Sequence, residues 1–236
     1  MYDGKHVHVI VLASGSGARF GSGSTPKQFQ MLADVPVLMH SLRVFDKMDI
    51  VDGIVLVVQP QYFEQCSAMT AQCSLSKIAV MTQGGKSRQE STFFGLRAID
   101  AQDDDIVLVH DAARPFVCAK DVTALVSAVN THRASVLALP VSDTIKLSDA
   151  QMRATQTVKR DNLYAAKTPQ AARMADLLYA HEIARKNDFE ATDDCQLMEN
   201  IGIHPKIVST KATNIKITTS TDLDFATFLL ERGLVQ

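Results

Sequence analysis

The glycine-rich segment after the first predicted strand has residue types suited to phosphate chemistry. Residues 7–12 form a β-branched run of strand length, and the segment that follows carries only two charged residues, Arg19 and Lys27. Its glycines are Gly15, Gly17, Gly21 and Gly23. Glycines let backbone N–H groups turn toward an anion, and two spaced cations can reach different oxygens of a polyphosphate. The pattern favours a phosphate-binding loop over a mobile linker.

Two familiar phosphate-binding motifs do not match this sequence. A P-loop requires G-x-x-x-x-G-K-[ST], but the GGKS at residues 84–87 has Val80 in place of the first glycine. The dinucleotide fingerprint requires a third glycine or alanine where Phe20 stands. The sequence therefore disfavours both a P-loop enzyme and a nicotinamide-dependent reductase.

A second glycine turn precedes a predicted helix that begins with polar residues. Gly84 and Gly85 form the turn, and Arg88 and Ser91 lie at the head of the helix. A helix N-terminus beside glycines suits an anion or the edge of a base, although a plain surface turn has the same pattern.

Polar residues also follow the buried strand predicted for residues 106–109. Because ligands of open α/β sheets bind at the carboxyl ends of strands, Asp111 is a candidate contact for a metal, a ribose or the substrate. Arg114 either clamps a phosphate or pairs with Asp111. His110 is expected to be a core histidine with satisfied hydrogen bonds.

The composition narrows the class of protein. The chain has 236 residues, 46% of them hydrophobic, and a formal net charge of −2. This balance argues against a general nucleic-acid or membrane-surface binder. The four cysteines form no CxxC pair, so neither a zinc site nor a disulfide framework is indicated. We expect a cytoplasmic protein that binds neither nucleic acid nor membrane.

The order of predicted elements indicates an α/β fold. Strands at residues 54–58, 78–81, 106–109 and 135–141 alternate with amphipathic helices, which predicts a mostly parallel sheet with helices on both faces. We expect a single domain over residues 1–236. In its last part we predict a strand at residues 214–218 and a final helix with a capping box formed by Thr221 and Asp224.

Residues 140–162 break the alternation. Extended segments at 141–147 and 155–159 flank a polar turn, which predicts a two-stranded arm. An isolated hairpin is barely stable in water, so the arm needs a surface to pack on, and a partner subunit would provide one. Thr144 and Arg160 on such an arm could enter a neighbour's active site.

Several motifs together are specific for one family. In chain order they are LASGSGARFG…PKQF, GGKSRQES, HDAARPF, PVSDTIK, TVKRDNLYAAKTPQ, ATDDCQLME and NIKITTSTDL. Over nearly the whole chain they resemble the 2-C-methyl-D-erythritol 4-phosphate cytidylyltransferase family. The resemblance implies a Rossmann-like nucleotidyltransferase fold, CTP and a small sugar-alcohol phosphate as substrates, and Mg²⁺. It also implies a homodimer locked by exchanged β-arms and a place in the non-mevalonate route to isoprenoid precursors.

The resemblance also implies roles for individual residues. Arg19 and Lys27 would stabilise the transferring phosphate, while Arg160 and Lys216 would orient the second substrate. The nucleotide would be surrounded by Ala13, Ser14, Gly15, Gly17, Gly85, Ser91 and Ala112. The sugar phosphate would lie near Asp111, Arg114, Thr144 and Thr192. Mg²⁺ would be held mainly by phosphates, with Asp111 as a candidate protein ligand.

The sequence departs from the family pattern at a few positions. Leu12 and Ser14 stand where proline and alanine are common, an Ala171–Ala172 pair replaces a usual aromatic, and Thr219–Ser220 replaces a segment that often holds proline. These departures leave open a sister activity on ribitol phosphate or another pentitol phosphate. A non-catalytic nucleotide-binding module is the alternative from a different class.

Overall fold

A twisted seven-stranded sheet forms the centre of the computed structural model, which describes residues 1–15 and 25–235. Within these residues its strands, in chain order, are β1 Val7–Leu12, β4 Gly53–Val58, β5 Ile78–Gln83, β6 Ile106–Asp111, β7 Ala134–Pro140, β10 Tyr164–Arg173 and β11 Lys206–Ser209. Their spatial order is β11-β7-β10-β6-β1-β4-β5. Two short pairs lie outside this sheet, β2 Met31–Leu32 with β3 Val35–Pro36, and β8 Ile145–Ser148 with β9 Ala154–Val158.

The sheet is mostly parallel, as predicted. β1 pairs in parallel with β4 and β6, β4 with β5, and β7 with β11. β10 is antiparallel to both of its neighbours, β6 and β7. The sequence did not predict β10, because Lys167 and Pro169 interrupt its apolar run and the strong helical pattern begins directly after it.

Helices cover both faces of the sheet, which confirms that prediction. The helices are α1 Val37–Lys47, α2 Phe63–Gln72, α3 Arg88–Arg97, α4 Ala119–His132, α5 Met174–Lys186, α6 Asp194–Asn200 and α7 Ser220–Glu231. Alternate residues of β1 point to opposite faces: Val9 packs in the cluster with Leu42 of α1, while Ile10 packs with Leu96 of α3 and Leu177 of α5. No helix in the described part of the chain is long and apolar enough to cross a membrane.

Two predictions for the C-terminal part were wrong. Residues 214–218 do not form a strand, and β11 occupies the edge of the sheet instead. Ile217 donates its N–H to the carbonyl of Ala113 and is buried under α7, so its apolar character serves packing and not a strand ladder. The capping box of α7 is formed by Thr219 and Asp222, two residues before the predicted pair, because α7 itself begins at Ser220.

Within residues 140–162, β8 and β9 form an antiparallel hairpin. It connects the end of β7 to the start of β10, two strands that are themselves paired, so the hairpin extends that ladder beyond the sheet. Its side chains are largely exposed, including Leu147 at 50% and Met152 at 85%. At its base Arg160 donates to the carbonyl of Ser142.

Candidate active site

A cavity of about 590 Å³ lies where the carboxyl ends of β1, β4, β5 and β6 meet. Parallel strands end at one edge of a sheet, which explains why motifs far apart in sequence come together here. Of the predicted site residues, it is lined by Ser14, Gly15, Lys27, Gly85, Ser91, Asp111 and Lys216. The sequence therefore identified much of this lining.

Asp111 is the centre of the charged side of the cavity. Lys216 Nζ lies 2.6 Å from Oδ2 of Asp111, and Arg88 Nε lies 3.2 Å from Oδ1. Arg114 Nε is 4.0 Å from Oδ2. Burial alone would raise the pKa of Asp111, but the charges of Arg88 and Lys216 outweigh it and hold that pKa well below its usual range. Asp111 is therefore ionised and aligns the cations around it.

Lys216 reaches Asp111 because the segment around it is tied to β10 and to the residues that follow β6. Asn214 is buried, and its side chain donates to the carbonyl of Thr168 over 3.0 Å. The carbonyl of Asn214 accepts from Arg114 Nη1 at 3.1 Å. The backbone N–H of Ile217 donates to Ala113. These bonds fix the chain on both sides of Lys216 and direct its ammonium into the cavity.

The sequence missed the role of Arg88. Its Nη1 donates to Asp194 Oδ2 at 2.7 Å while its Nε donates to Asp111, so one guanidinium joins the start of α6 to the end of β6. Burial would raise the pKa of Asp194, but Arg88 and His181 lower it to about 2. The adjacent Asp193 caps α6 by accepting a hydrogen bond from the N–H of Gln196. A basic residue at the head of a glycine-preceded helix was the available signal for Arg88.

Serine hydroxyls and backbone groups form the uncharged side of the cavity. Ser91 Oγ accepts from the N–H of Gly85 at 3.0 Å and lies 3.0 Å from Ser14 Oγ. A Cβ built on Gly84 would lie 2.1 Å from the Cβ of Ser14, so only glycine fits at residue 84. The first and second glycine segments are thus in direct contact.

Gln28 holds the ends of the first loop together. Its side-chain amide donates to the carbonyl of Ala13 at 2.7 Å and to that of Gly15 at 3.0 Å. Lys27 begins a short 3₁₀ helix, Lys27–Phe29, and lines the cavity. The backbone on each side of the glycine segment is thereby fixed.

The remaining predicted residues have different positions. Arg19 and Gly17 lie outside the described residues. Ala13 and Ala112 are buried, and their N–H groups donate to Val57 and Leu12, so they support the cavity wall from behind. Thr144 and Arg160 lie on the arm, and Thr192 is exposed and bonds Gln196, so none of these three lines the cavity.

His110 is fully buried behind Asp111, as predicted for a core histidine. Its Nε2 lies 3.1 Å from the Arg114 carbonyl and its Nδ1 lies 3.2 Å from Thr168 Oγ1. A carbonyl can only accept, which assigns the proton to Nε2 in the neutral ring. Burial lowers the pKa of His110 to about 4.

We expect His110 to make the protein less stable as the pH falls from about 6.5 to about 4. In that range the unfolded chain binds a proton that the folded chain excludes, so the free energy of unfolding should drop by about 3 kcal/mol. Urea unfolding at several pH values measures this. His110→Asn should flatten the pH dependence, apart from the part due to His8 and His40, whose pKa values are also lowered by burial. The exposed His204→Asn control should keep the full slope, and an unchanged slope in His110→Asn would contradict the assignment.

The described residues do not fit a magnesium site built from protein ligands. The oxygens of Asp111 are occupied by cationic side chains, and direct coordination would have to displace an ammonium 2.6 Å away. In the described ranges there is also no group of three or more His, Cys, Asp or Glu side chains placed to hold a metal ion. In this structure Asp111 is therefore a partner of cationic side chains.

Comparison with known proteins now identifies the family. A family model described as 2-C-methyl-D-erythritol 4-phosphate cytidylyltransferase matches residues 7–232. The chain belongs to this family. The 2-C-methyl-D-erythritol 4-phosphate cytidylyltransferase of Geobacillus kaustophilus is 39% identical over 227 residues, covering 96% of this chain and 98% of that protein.

Other members differ in length or are known as structures. A bifunctional IspD/IspF enzyme of Desulforudis audaxviator is 40% identical over 227 residues, and the chain spans 57% of its length. The crystal structure of 4-diphosphocytidyl-2C-methyl-D-erythritol synthase from Anaerococcus prevotii superposes with a TM-score of 0.85 at 29% identity and covers 98% of both chains. These comparisons confirm the resemblance and the α/β nucleotidyltransferase fold of a cytidylyltransferase.

Proposed function

We propose that the cavity at the carboxyl edge of the sheet transfers the cytidylyl group of CTP to 2-C-methyl-D-erythritol 4-phosphate, releasing pyrophosphate. One observation carries the proposal: a single cavity joins the glycine loops and Lys27 to a second cation, Lys216, held by Asp111. The first set suits a nucleoside triphosphate, and Lys216 suits the phosphate of the second substrate.

The proposed chemistry relies on alignment and charge. A phosphate monoester has a second pKa near 6, so the attacking oxygen is largely ionised at neutral pH and requires no general base. It attacks the α-phosphorus of CTP in line, and the bond to the departing pyrophosphate breaks. Lys27 and Arg19 neutralise the charge that grows on the phosphates, while Lys216 orients the nucleophile. The magnesium requirement that the resemblance implies stays a prediction, with the nucleotide phosphates as ligands.

Pyrophosphate release, measured with each of four nucleoside triphosphates and two sugar phosphates, tests this function. We expect turnover with CTP and methylerythritol phosphate, and much slower turnover with ribitol phosphate. Faster turnover with the pentitol phosphate would assign the sister activity. CTP binding without pyrophosphate release under every condition would indicate a non-catalytic module.

We also propose that residues 1–236 form one nucleotidyltransferase domain whose 140–162 arm dimerises by exchange. The arm extends from the paired ends of β7 and β10 and has exposed apolar side chains. An isolated hairpin is barely stable in water, and exposed apolar side chains indicate a surface that packs against a partner. In the dimer, Thr144 and Arg160 would reach the neighbour's cavity and contact the sugar phosphate there.

Charged substitutions on the arm should break the dimer. We expect Leu147→Asp combined with Met152→Asp to shift sedimentation to the monomer and to lower turnover by about 10-fold or more, since two apolar contacts are lost and charges are buried. Tyr179→Asp is the matched control, because Tyr179 on α5 is similarly exposed, at 55%. A fully active monomer in the double variant would exclude a role for arm exchange.

A further inference from the structure

The two sides of the cavity differ in charge. Asp111 ends β6 and holds Arg88 and Lys216, whereas Gln59 after β4 and Gly85 after β5 form an uncharged side, next to which Lys86 also lines the cavity. Ser14 and Ser91 lie on this uncharged side. If the cavity binds CTP as proposed above, the phosphates belong beside the cations, and the uncharged side remains for the base.

The hydrogen bonds of Ser91 fix the direction of the bond to Ser14. Ser91 Oγ lies 2.8 Å from the carbonyl oxygen of Ser87, which can only accept, so the Ser91 hydrogen is donated there. The N–H of Gly85 donates to one lone pair of Ser91 Oγ. One lone pair remains, and Ser14 Oγ faces it at 3.0 Å. Ser14 must therefore be the donor, and the bonding capacity of Ser91 is fully used.

Ser14 consequently presents only lone pairs to the cavity. Its single hydrogen is committed to Ser91, and among the described residues no other hydrogen bond to its Oγ is formed. Its backbone carbonyl accepts from Gln59 Nε2 at 3.1 Å, and its Cβ lies directly against Gly84. The hydroxyl is thus held in place as a hydrogen-bond acceptor on the uncharged side.

We propose that Ser14 Oγ accepts a hydrogen bond from the 4-amino group of cytosine and thereby selects CTP over UTP. Uracil carries a carbonyl oxygen at the same position, which would bring lone pairs against lone pairs and leave both groups without a donor. Ser91 acts through Ser14 as a positioning residue, because it takes the hydrogen that Ser14 would otherwise offer to uracil.

The test is a double-mutant cycle in which one change is Ser14→Ala and the other is removal of the 4-amino group from the substrate. kcat/KM is measured with CTP, with UTP and with the triphosphate of 2-pyrimidinone riboside, a cytidine analogue without the 4-amino group. In the wild-type protein the analogue should be about 5- to 10-fold poorer than CTP. In Ser14→Ala, CTP should lose that same factor, the analogue should lose nothing further, and the preference for CTP over UTP should fall about 10-fold or more.

Two further variants sharpen the result. Ser91→Ala frees the Ser14 hydrogen, so use of UTP should rise relative to CTP. Ser41→Ala removes a hydroxyl inside α1 that bonds only Leu38 in the described structure, and it should leave the ratio unchanged. The proposal would be overturned if Ser14→Ala left the ratio of kcat/KM for CTP to that for UTP unchanged. It would also be overturned if the analogue were poorer than CTP by the same factor in the wild-type protein and in Ser14→Ala.

Failure of the proposed function has a different signature. If the wild-type protein releases no pyrophosphate with either sugar phosphate, the proposed cytidylyl transfer is wrong. The affinities of the same variants for CTP and UTP, measured by calorimetry, then test the role of Ser14. Equal affinities of wild-type protein for both nucleotides would then overturn it, and a preference for CTP that Ser14→Ala abolishes would support it.

Discussion

Lys27→Ala is expected to show a kcat about 100-fold lower than the wild-type protein in pyrophosphate release from CTP, by comparison with the loss of single groups that stabilise charge in other transition states. Lys27 is held by the residues that follow it. Gln28 is bonded to both Ala13 and Gly15, and Phe29 is buried with its ring centroid 4.7 Å from that of Tyr62. In the proposed mechanism this cation stabilises the charge that develops during transfer, so kcat should fall more than KM rises.

Steady-state kinetics with both substrates varied measures this effect. Lys27→Arg keeps the positive charge and should recover part of the rate. Lys120→Ala, an exposed lysine in the first turn of α4, is the matched control and should keep the wild-type kcat. A normal kcat in Lys27→Ala would remove Lys27 from the mechanism.

Asp111→Asn is expected to reduce the free energy of unfolding by about 3 kcal/mol, because it leaves the surrounding cations without their buried counter-ion. Arg88, Arg114 and Lys216 all converge on this carboxylate, which is 8% exposed. The amide cannot compensate their charge. We also expect KM for the sugar phosphate to rise, since Lys216 loses the group that aligns it.

Urea unfolding measures the free energy of unfolding of Asp111→Asn, and the matched control is Asp176→Asn. Asp176 pairs with Arg133, which is 52% exposed, and a surface pair of this kind should contribute less than about 1 kcal/mol. The pH dependence provides a second check. The depressed pKa of Asp111 stabilises the fold above about pH 4 and loses that effect as the pH falls below it, so the variant should lose less stability than wild type in acid. Equal losses for Asp111→Asn and Asp176→Asn would contradict the account of the cluster.

The parts of the fold that were predictable from sequence are those set by local patterns. The buried strands β4 and β6 are continuous apolar runs, and the helical period of α4 is clear from Val122, Leu125 and Val129. β10 was missed because its place between β6 and β7 depends on partners distant in sequence. Residues 214–218 have a strand pattern, but the burial of Ile217 under α7 explains that pattern without a ladder.

The candidate site was predictable where the residue types of a motif indicate the ligand by themselves. Glycines next to Lys27 indicate phosphate, and polar residues at the end of β6 indicate a ligand. The link from Arg88 to both Asp111 and Asp194 was not accessible, because residues 88 and 194 are brought together only by the packing of α6 against the sheet. The donor role of the Ser14 hydroxyl likewise follows only from the contacts of Ser91 in the folded structure.

The attachment of Lys216 to the end of β6 has a consequence for biosynthesis and proteolysis. The segment that carries this lysine is fixed by Asn214 and by Ile217, whose side chain is covered by α7. A nascent chain still on the ribosome, or one clipped before residue 220, would lack the packing that seats Lys216, the cation we propose for the second substrate. We therefore expect such a fragment to bind nucleotide without turning it over, because in the proposed mechanism turnover requires the last helix to be docked.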